Sequence, residues 1–227
     1  MGQKGSPVCT KCEIKIKTCQ DENGRGPSFC PTLTREAVVR QANRECEKPR
    51  IGEFARQASI QEGQCYANRG VDPYILHPVK TRIQETCEFA KKMGFRRIGI
   101  AFCSGLHHES AILTKILEAQ EFEVIAVVCK AGRTPKESIG IKEDEKINIG
   151  KFESMCSPIA QAMILNEEET DFNILVGLCV GHDSLFLEYS DAFSTVLVVK
   201  DRVLGHNPVA ALNTAGSYYA RLNRKDF

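Results

Sequence analysis

From Arg97 onward the chain carries four short, nearly continuous apolar runs separated by segments of helix length. They are Arg97-Ile-Gly-Ile-Ala-Phe-Cys103, Phe122-Glu-Val-Ile-Ala-Val-Val-Cys129, Asn173-Ile-Leu-Val-Gly-Leu-Cys179 and Thr195-Val-Leu-Val-Val-Lys200. A strand that is apolar on both faces must be covered on both faces. Parallel sheets meet that need, because every crossover lays a helix on the sheet. The expected fold is therefore α/β, with a four-stranded or slightly larger parallel sheet of doubly wound type. Helices are expected after Ser104-Gly105, from Ser157-Pro158 to about Leu165, shortly after Gly181, and from Asn207-Pro208. The stretch at about 130–150, rich in Gly, Lys and Pro, reads as a loop.

Two regions precede the sheet. Residues 1–31 are polar and punctuated by Gly and Pro, and read as a Cys-rich metal-binding module. Residues 32–94 read as a helical segment, and 95–227 as the α/β domain. In the helical segment Thr34 is placed to cap a helix carrying Val39, Ala42 and Cys46. A second helix is expected over about 52–66. A third is expected over about 73–93, with Ile75, Val79, Ile83, Cys87 and Ala90 on one stripe and Gly94 ending it.

The α/β region also reads as an internal duplication of βαβα type. Ile98 to Ser110 and Ile174 to Ser184 both run strand, Cys-x-Gly, His, acid, Ser, helix. Each half then reaches a similar turn, Cys156-Ser-Pro in one and His206-Asn-Pro in the other. Any βαβ protein shows some such likeness. Two matched elements in matched order argue for a repeat, which would set the two first strands side by side and make a ligand-binding switch point at their carboxyl ends.

The chain has 11 cysteines among 227 residues, an odd number in a protein long enough to need no staples. The N-terminus has no apolar signal core, and no apolar run reaches the ~20 residues of a membrane span, so the expected setting is cytoplasmic and non-membrane. In a reducing compartment cysteines act as metal ligands or reactive thiols before they form disulfides. Cys9, Cys12, Cys19 and Cys30 are spaced C-x2-C-x6-C-x10-C, a set that can hold zinc or an iron–sulfur cluster. A redox-active Cys-x2-Cys beside unrelated thiols is the plainer alternative.

A second set, Cys103, Cys129, Cys156 and Cys179, falls at strand ends or just before a helix, with His206 as a fifth candidate ligand. An iron–sulfur cluster, of the 4Fe-4S kind, is the favoured occupant, though a buried cysteine is often only a small hydrophobe. Cys46, Cys65 and Cys87 lie on helical stripes and read as core. The same rim carries His107, His108, Glu109, Arg133, Lys136 and Asp201. Lys130, Lys200 and Arg202 could hold an anionic small molecule there, and His182 and Asp183 could move protons. A charged loop at strand ends can equally be solvated and nothing more.

Lys+Arg 30 against Asp+Glu 29 gives a net charge of +1, and there is no Trp. No basic stripe or aromatic platform supports nucleic-acid binding. No Gly-rich phosphate loop follows the first strand.

The strings Phe89-Ala-Lys-Lys-Met-Gly94, Ile98 to Cys103, Cys156-Ser-Pro-Ile-Ala-Gln-Ala162, Gly177-Leu-Cys-Val-Gly-His-Asp183 and Val199 to Pro208 resemble an uncharacterised family, domain of unknown function 1847. The resemblance implies metal binding and an origin in anaerobic bacteria and archaea, and supplies no reaction. Ser157 stands where that family's helix-opening motif is expected to have Asn, and either residue can cap. The functional expectation is a cytoplasmic iron–sulfur or related metalloprotein used in electron transfer or reductive chemistry on a small molecule, with its redox partner unassigned. The rivals are a zinc-stabilised binding, regulatory or thiol redox-sensing module, and thiol catalysis by Cys179 near His182.

Overall fold

The computed structural model describes residues 5–226. The chain forms two compact units, Met1–Gln64 and Cys65–Phe227. In the first, Cys9–Lys11 is a single tight turn, closed when the Cys12 amide donates to the Cys9 carbonyl at 3.1 Å. Backbone bonds then pair Lys17 with Arg25. Gly24 sits so near the Lys17 backbone that an added Cβ would lie 2.3 Å from its carbonyl carbon, so only glycine fits. Three helices follow: α1 (Pro31–Thr34), α2 (Glu36–Cys46) and α3 (Pro49–Gln64).

Two local expectations fail here for visible reasons. Thr34 does not cap α2, because its hydroxyl donates to the Cys30 carbonyl one turn back, 2.9 Å away. Cys46 is exposed at the end of α2, a helix exposed along its whole length, so that stripe is not a core face.

The second unit opens without the long helix expected over 73–93. Residues 77–79 instead bond back toward Cys65 and Ala67: Ala67 N–H donates to His77 O, and Val79 N–H to Cys65 O. Pro73 and Pro78 interrupt a helical ladder by lacking an N–H. Helix α4 (Arg82–Lys92) therefore starts late, with Thr81 Oγ1 accepting from the Gln84 amide. Ile75 and Val79 are exposed, whereas Cys87 and Ala90 are buried. Gly94 takes φ +71 and ends the helix as expected.

After α4 come β1 (Arg97–Phe102), α5 (His107–Ala119), β2 (Glu123–Val128), α6 (Pro158–Glu167), β3 (Phe172–Val176), α7 (His182–Tyr189), β4 (Phe193–Val198) and α8 (Val209–Asn213). The four strands form one all-parallel sheet in the order β2-β1-β3-β4. The chain leaves β1 toward one edge and β3 toward the other, so the two central strands flank a crevice at their carboxyl ends.

Ile98, Ile100, Ile174, Leu175 and Val176 from the central strands are fully buried with Leu165 of α6 and Phe186 of α7. Asn173 lies among them, with no exposure. Its side chain is satisfied by Thr170 Oγ1, which donates to Oδ1 at 2.8 Å, and by Ser190 Oγ, which accepts from Nδ2 at 2.9 Å. Gly99 in β1 makes room for it: an added Cβ would stand 2.0 Å from Asn173 Oδ1.

The excursion from Lys130 to Met155 is organised by ion pairs rather than by an apolar core. Lys136 pairs with Glu153, and the nearly buried Lys146 pairs with Glu137 and Glu143. Lys146→Met is expected to leave the far-ultraviolet dichroism unchanged while limited proteolysis within residues 137–150 becomes severalfold faster. An unchanged cleavage rate would show that the ion cluster does not hold this loop.

Candidate thiol site

Ladder hydrogen bonds run one residue past the strands and set the sulfur-bearing positions. Cys103 N–H donates to Val176 O at 3.0 Å, and Cys129 N–H to Phe102 O at 2.8 Å. The Ser157 amide donates to the Cys129 carbonyl at 2.7 Å, which brings Cys156 beside Cys129 across 26 residues of intervening chain. Ser157 occupies the N-cap of α6 but its hydroxyl makes no capping bond; its backbone amide does the positioning.

Cys129 and Cys156 stand beside each other, and each is the largest influence on the other's ionisation. Cys129 is buried, 2% exposed, and Cys156 is half-buried. The Cys129 side chain beside it is the largest influence holding Cys156 down at about 6. Burial opposes it, and the nearby Lys130 ammonium assists. The neighbouring Cys156, together with burial, pushes the Cys129 thiol well above its ordinary value. The two environments thus favour the thiolate at Cys156 and the thiol at Cys129. Ser104 meets the buried sulfur twice: its amide donates to Cys129 Sγ at 3.4 Å, and the Cys129 thiol donates to its hydroxyl oxygen at 3.9 Å.

The other two rim cysteines stand close by. Arg202 Nη2 donates to Cys179 Sγ at 3.1 Å, and the charge of Cys179 reaches Cys156. Cys103 packs on the same apolar cluster as Cys129 and Cys156. Among the described residues no cysteine is joined in a disulfide. Among the described residues, no three His, Cys, Asp or Glu side chains are gathered as ligands for a single metal ion. Cys9 and Cys19 are exposed, Cys12 is half-buried and Cys30 is buried.

The chain matches the family Protein of unknown function (DUF1847) over residues 30–197. It belongs to that family. It is also 52% identical, over 171 residues, to an uncharacterized protein of Methanocaldococcus jannaschii, covering 75% of this chain and 84% of the relative. The DUF1847 match contains Cys103, Cys129, Cys156 and Cys179, and it ends before Lys200, Arg202 and His206.

The remaining candidates divide by what already occupies them. His206 adopts φ +66, and its Nδ1 accepts from the Asp201 amide at 3.1 Å, so this ring braces its own turn and, when neutral, carries its proton on Nε2. The Asp201 carboxylate accepts from the amides of Val203 and Leu204. His182 opens α7, and its value is lowered by burial and by the cations Lys130, Lys136 and Arg202, so it is neutral at pH 7. Asp183 accepts from the Ser184 amide. Lys130 Nζ donates to Ser154 O at 2.6 Å. Arg133 lies 5.4 Å over the Phe152 ring, and His107 packs edge-on against Phe102.

Sequence reading overlooked two contributors. Ser104 looks like an ordinary turn residue. Gln161 is fully buried and donates from Nε2 to Phe102 O and Val127 O, tying α6 to the ends of β1 and β2. Its Oε1 is buried and has no partner among the described residues. A Gln in the first turns of an otherwise apolar helix is the signal that could have flagged it.

Proposed function

We propose that this protein is a cysteine-based redox protein whose working centre is the Cys156–Cys129 pair at the switch point of the sheet. The observation that carries the reading is the closure by which the Ser157 amide bonds the Cys129 carbonyl at 2.7 Å and sets a half-buried sulfur beside a buried one. The half-buried Cys156 is held low and favours the thiolate, and the buried Cys129 is pushed up and favours the thiol.

That asymmetry suits two-electron exchange with a disulfide. The Cys156 thiolate attacks one sulfur of the partner disulfide, whose other sulfur leaves as a thiolate. Cys129 then gives its proton to solvent and attacks Cys156 Sγ, releasing the second thiolate. Two electrons pass to the partner, and the protein keeps a Cys129–Cys156 disulfide. A reducing cytoplasm, and the anaerobic origin that the family resemblance implies, would return the pair to its thiol form.

The test is peptide mapping of the full chain after exposure to oxidised dithiothreitol. The expected product is a peptide linking Cys129 to Cys156. In Cys129→Ser, a mixed adduct should persist on Cys156. Linkage elsewhere, or none, would overturn the reading.

A second reading keeps the metal. Four cysteines on one rim favour a soft ion or an iron–sulfur cluster there, used in electron transfer, with Cys9, Cys12, Cys19 and Cys30 holding zinc or a second cluster. Iron and acid-labile sulfide in anaerobically purified protein, lost in Cys103→Ala and Cys179→Ala, would select it. Colourless protein with only about one zinc would leave the dithiol.

A further inference from the structure

Lys200 follows β4 by two residues and is half-buried. Its aliphatic stem runs past the β3 end: a Cβ on Gly177 would lie 3.6 Å from Lys200 Cε. Its ammonium reaches the loop after β1, where a Cβ on Gly105 would lie 3.9 Å from Lys200 Nζ and equally 3.9 Å from Cys103 Sγ. Among the described residues this ammonium has no hydrogen-bond or ion-pair partner.

The other cations at the rim are engaged. Lys136 has Glu153, Lys130 has the Ser154 carbonyl, and Arg202 has Cys179. A half-buried lysine normally acquires a counter-charge, because an unpaired ammonium out of bulk water is costly. Lys200 is also joined to the thiol pair through one short loop. Gly105 lies beside it, and the adjoining Ser104 amide donates to the Sγ of Cys129, whose own carbonyl accepts from the Ser157 amide next to Cys156. Gly105 leaves the crevice open at this point, since nothing stands nearer than 3.9 Å to the place of its absent Cβ, whereas the place of a Cβ on Gly177 is filled by Leu106 Cδ1, 2.0 Å away.

We propose that the crevice between the 103–106 and 177–181 turns takes one oxyanion arm of a small disulfide and seats it on Lys200. The partners of the pair are then anionic low-molecular-weight disulfides, with carboxylate or a similar oxyanion on the arm. This inference rests on the dithiol reading for its chemistry, and the exchange is the one already balanced: two electrons and no other co-reactant move to the disulfide. Lys200 is a binding and specificity residue in this scheme, since it supplies the charge that holds the arm while the sulfurs react.

The test uses three probes of equal chemistry and different charge: dithiodiglycolate with two carboxylates, bis(2-hydroxyethyl) disulfide without charge, and cystamine with two ammoniums. Adduct formation at Cys156 is followed by peptide-resolved mass spectrometry at low salt, with the exposed Cys46 in the same sample as reference. The expected order at Cys156 is anion, neutral, cation, with about tenfold between the extremes and a collapse of the order in high salt. Lys200→Met should lower the anionic rate to the neutral one, and Lys200→Arg should restore it.

Equal rates for all three probes, or a preference that survives Lys200→Met, would sink the inference. A charge preference at Cys156 without any Cys129 linkage would keep the anion seat and overturn the dithiol reading. An unreactive Cys156 would overturn both.

Discussion

Alkylation of Cys156 by iodoacetamide is expected to rise through a pH of about 6 and level off well before the range of an ordinary thiol. The reacting species is the thiolate, so the rate follows the deprotonated fraction. A lowered value puts that fraction near its maximum at neutral pH, and it is lost as pH falls through about 6. A low-pKa thiolate is also a weaker nucleophile, which cancels much of the advantage near pH 7. The advantage over exposed Cys46 should therefore be largest in mild acid, about tenfold near pH ~5.5, and small by pH ~8.

The cause can be tested separately from the value. Cys129→Ala removes the side chain that acts most strongly on Cys156, so the inflection should move up. Lys130→Met should move it up by less, because that cation is a lesser contributor. An inflection unmoved in Cys129→Ala would show that the two sulfurs are not paired in solution.

The largest loss of stability is expected from Gly99→Val. The first added atom already meets Asn173 Oδ1 at 2.0 Å, and Val adds two more carbons in the middle of a central strand. Asn173 cannot move away without abandoning Thr170 and Ser190, both bonded to it within 3 Å. Overpacking costs ~1–3 kcal/mol and an orphaned buried amide a similar amount, so about 3 kcal/mol or more should be lost. For a unit of this size that is a fall in midpoint of roughly 10 °C by thermal denaturation. Asn173→Ala in the same background should recover part of it, by vacating the space that Val needs. A Gly99→Val protein as stable as the parent would mean that β1 and β3 are not packed at this register.

The four apolar runs were legible as parallel strands because none carries a polar alternation; β1 and β3 are buried along nearly their whole length, and the edge strands β2 and β4 are only partly covered. Gly94 was legible as a helix stop for a similarly local reason. What sequence reasoning could not see was competition for backbone bonds. Thr34 has the composition of a cap, yet its hydroxyl goes to Cys30 O. The stripe from Ile75 to Ala90 has helical spacing, yet residues 77–79 spend their bonds on 65–67 and only its second half is helix.

The strand-end cysteines were visible one by one, at ends of runs. Their pairing was not. Cys129 and Cys156 meet because backbone bonds at the foot of a long excursion, Ser157 to Cys129 and Met155 to Thr134 among them, close it, and no spacing rule encodes a closure of that length. The preference of Cys156 for the thiolate is set by its burial and neighbours, which exist only once the chain is folded.

That closure also separates two things that usually change together. The excursion leaves at Lys130 and returns at Met155 between hydrogen-bonded neighbours, with a second pairing of Pro135 and Ser154 just above the base. Its ends are fixed whatever its length, and lengthening a closed loop is cheap, about 0.6 kcal/mol for each doubling. The excursion is therefore a place where relatives can gain or lose residues without disturbing the sulfurs at its foot. It is also where a short reporter peptide could be spliced, beside the exposed Gly140, to watch the thiols change state from outside.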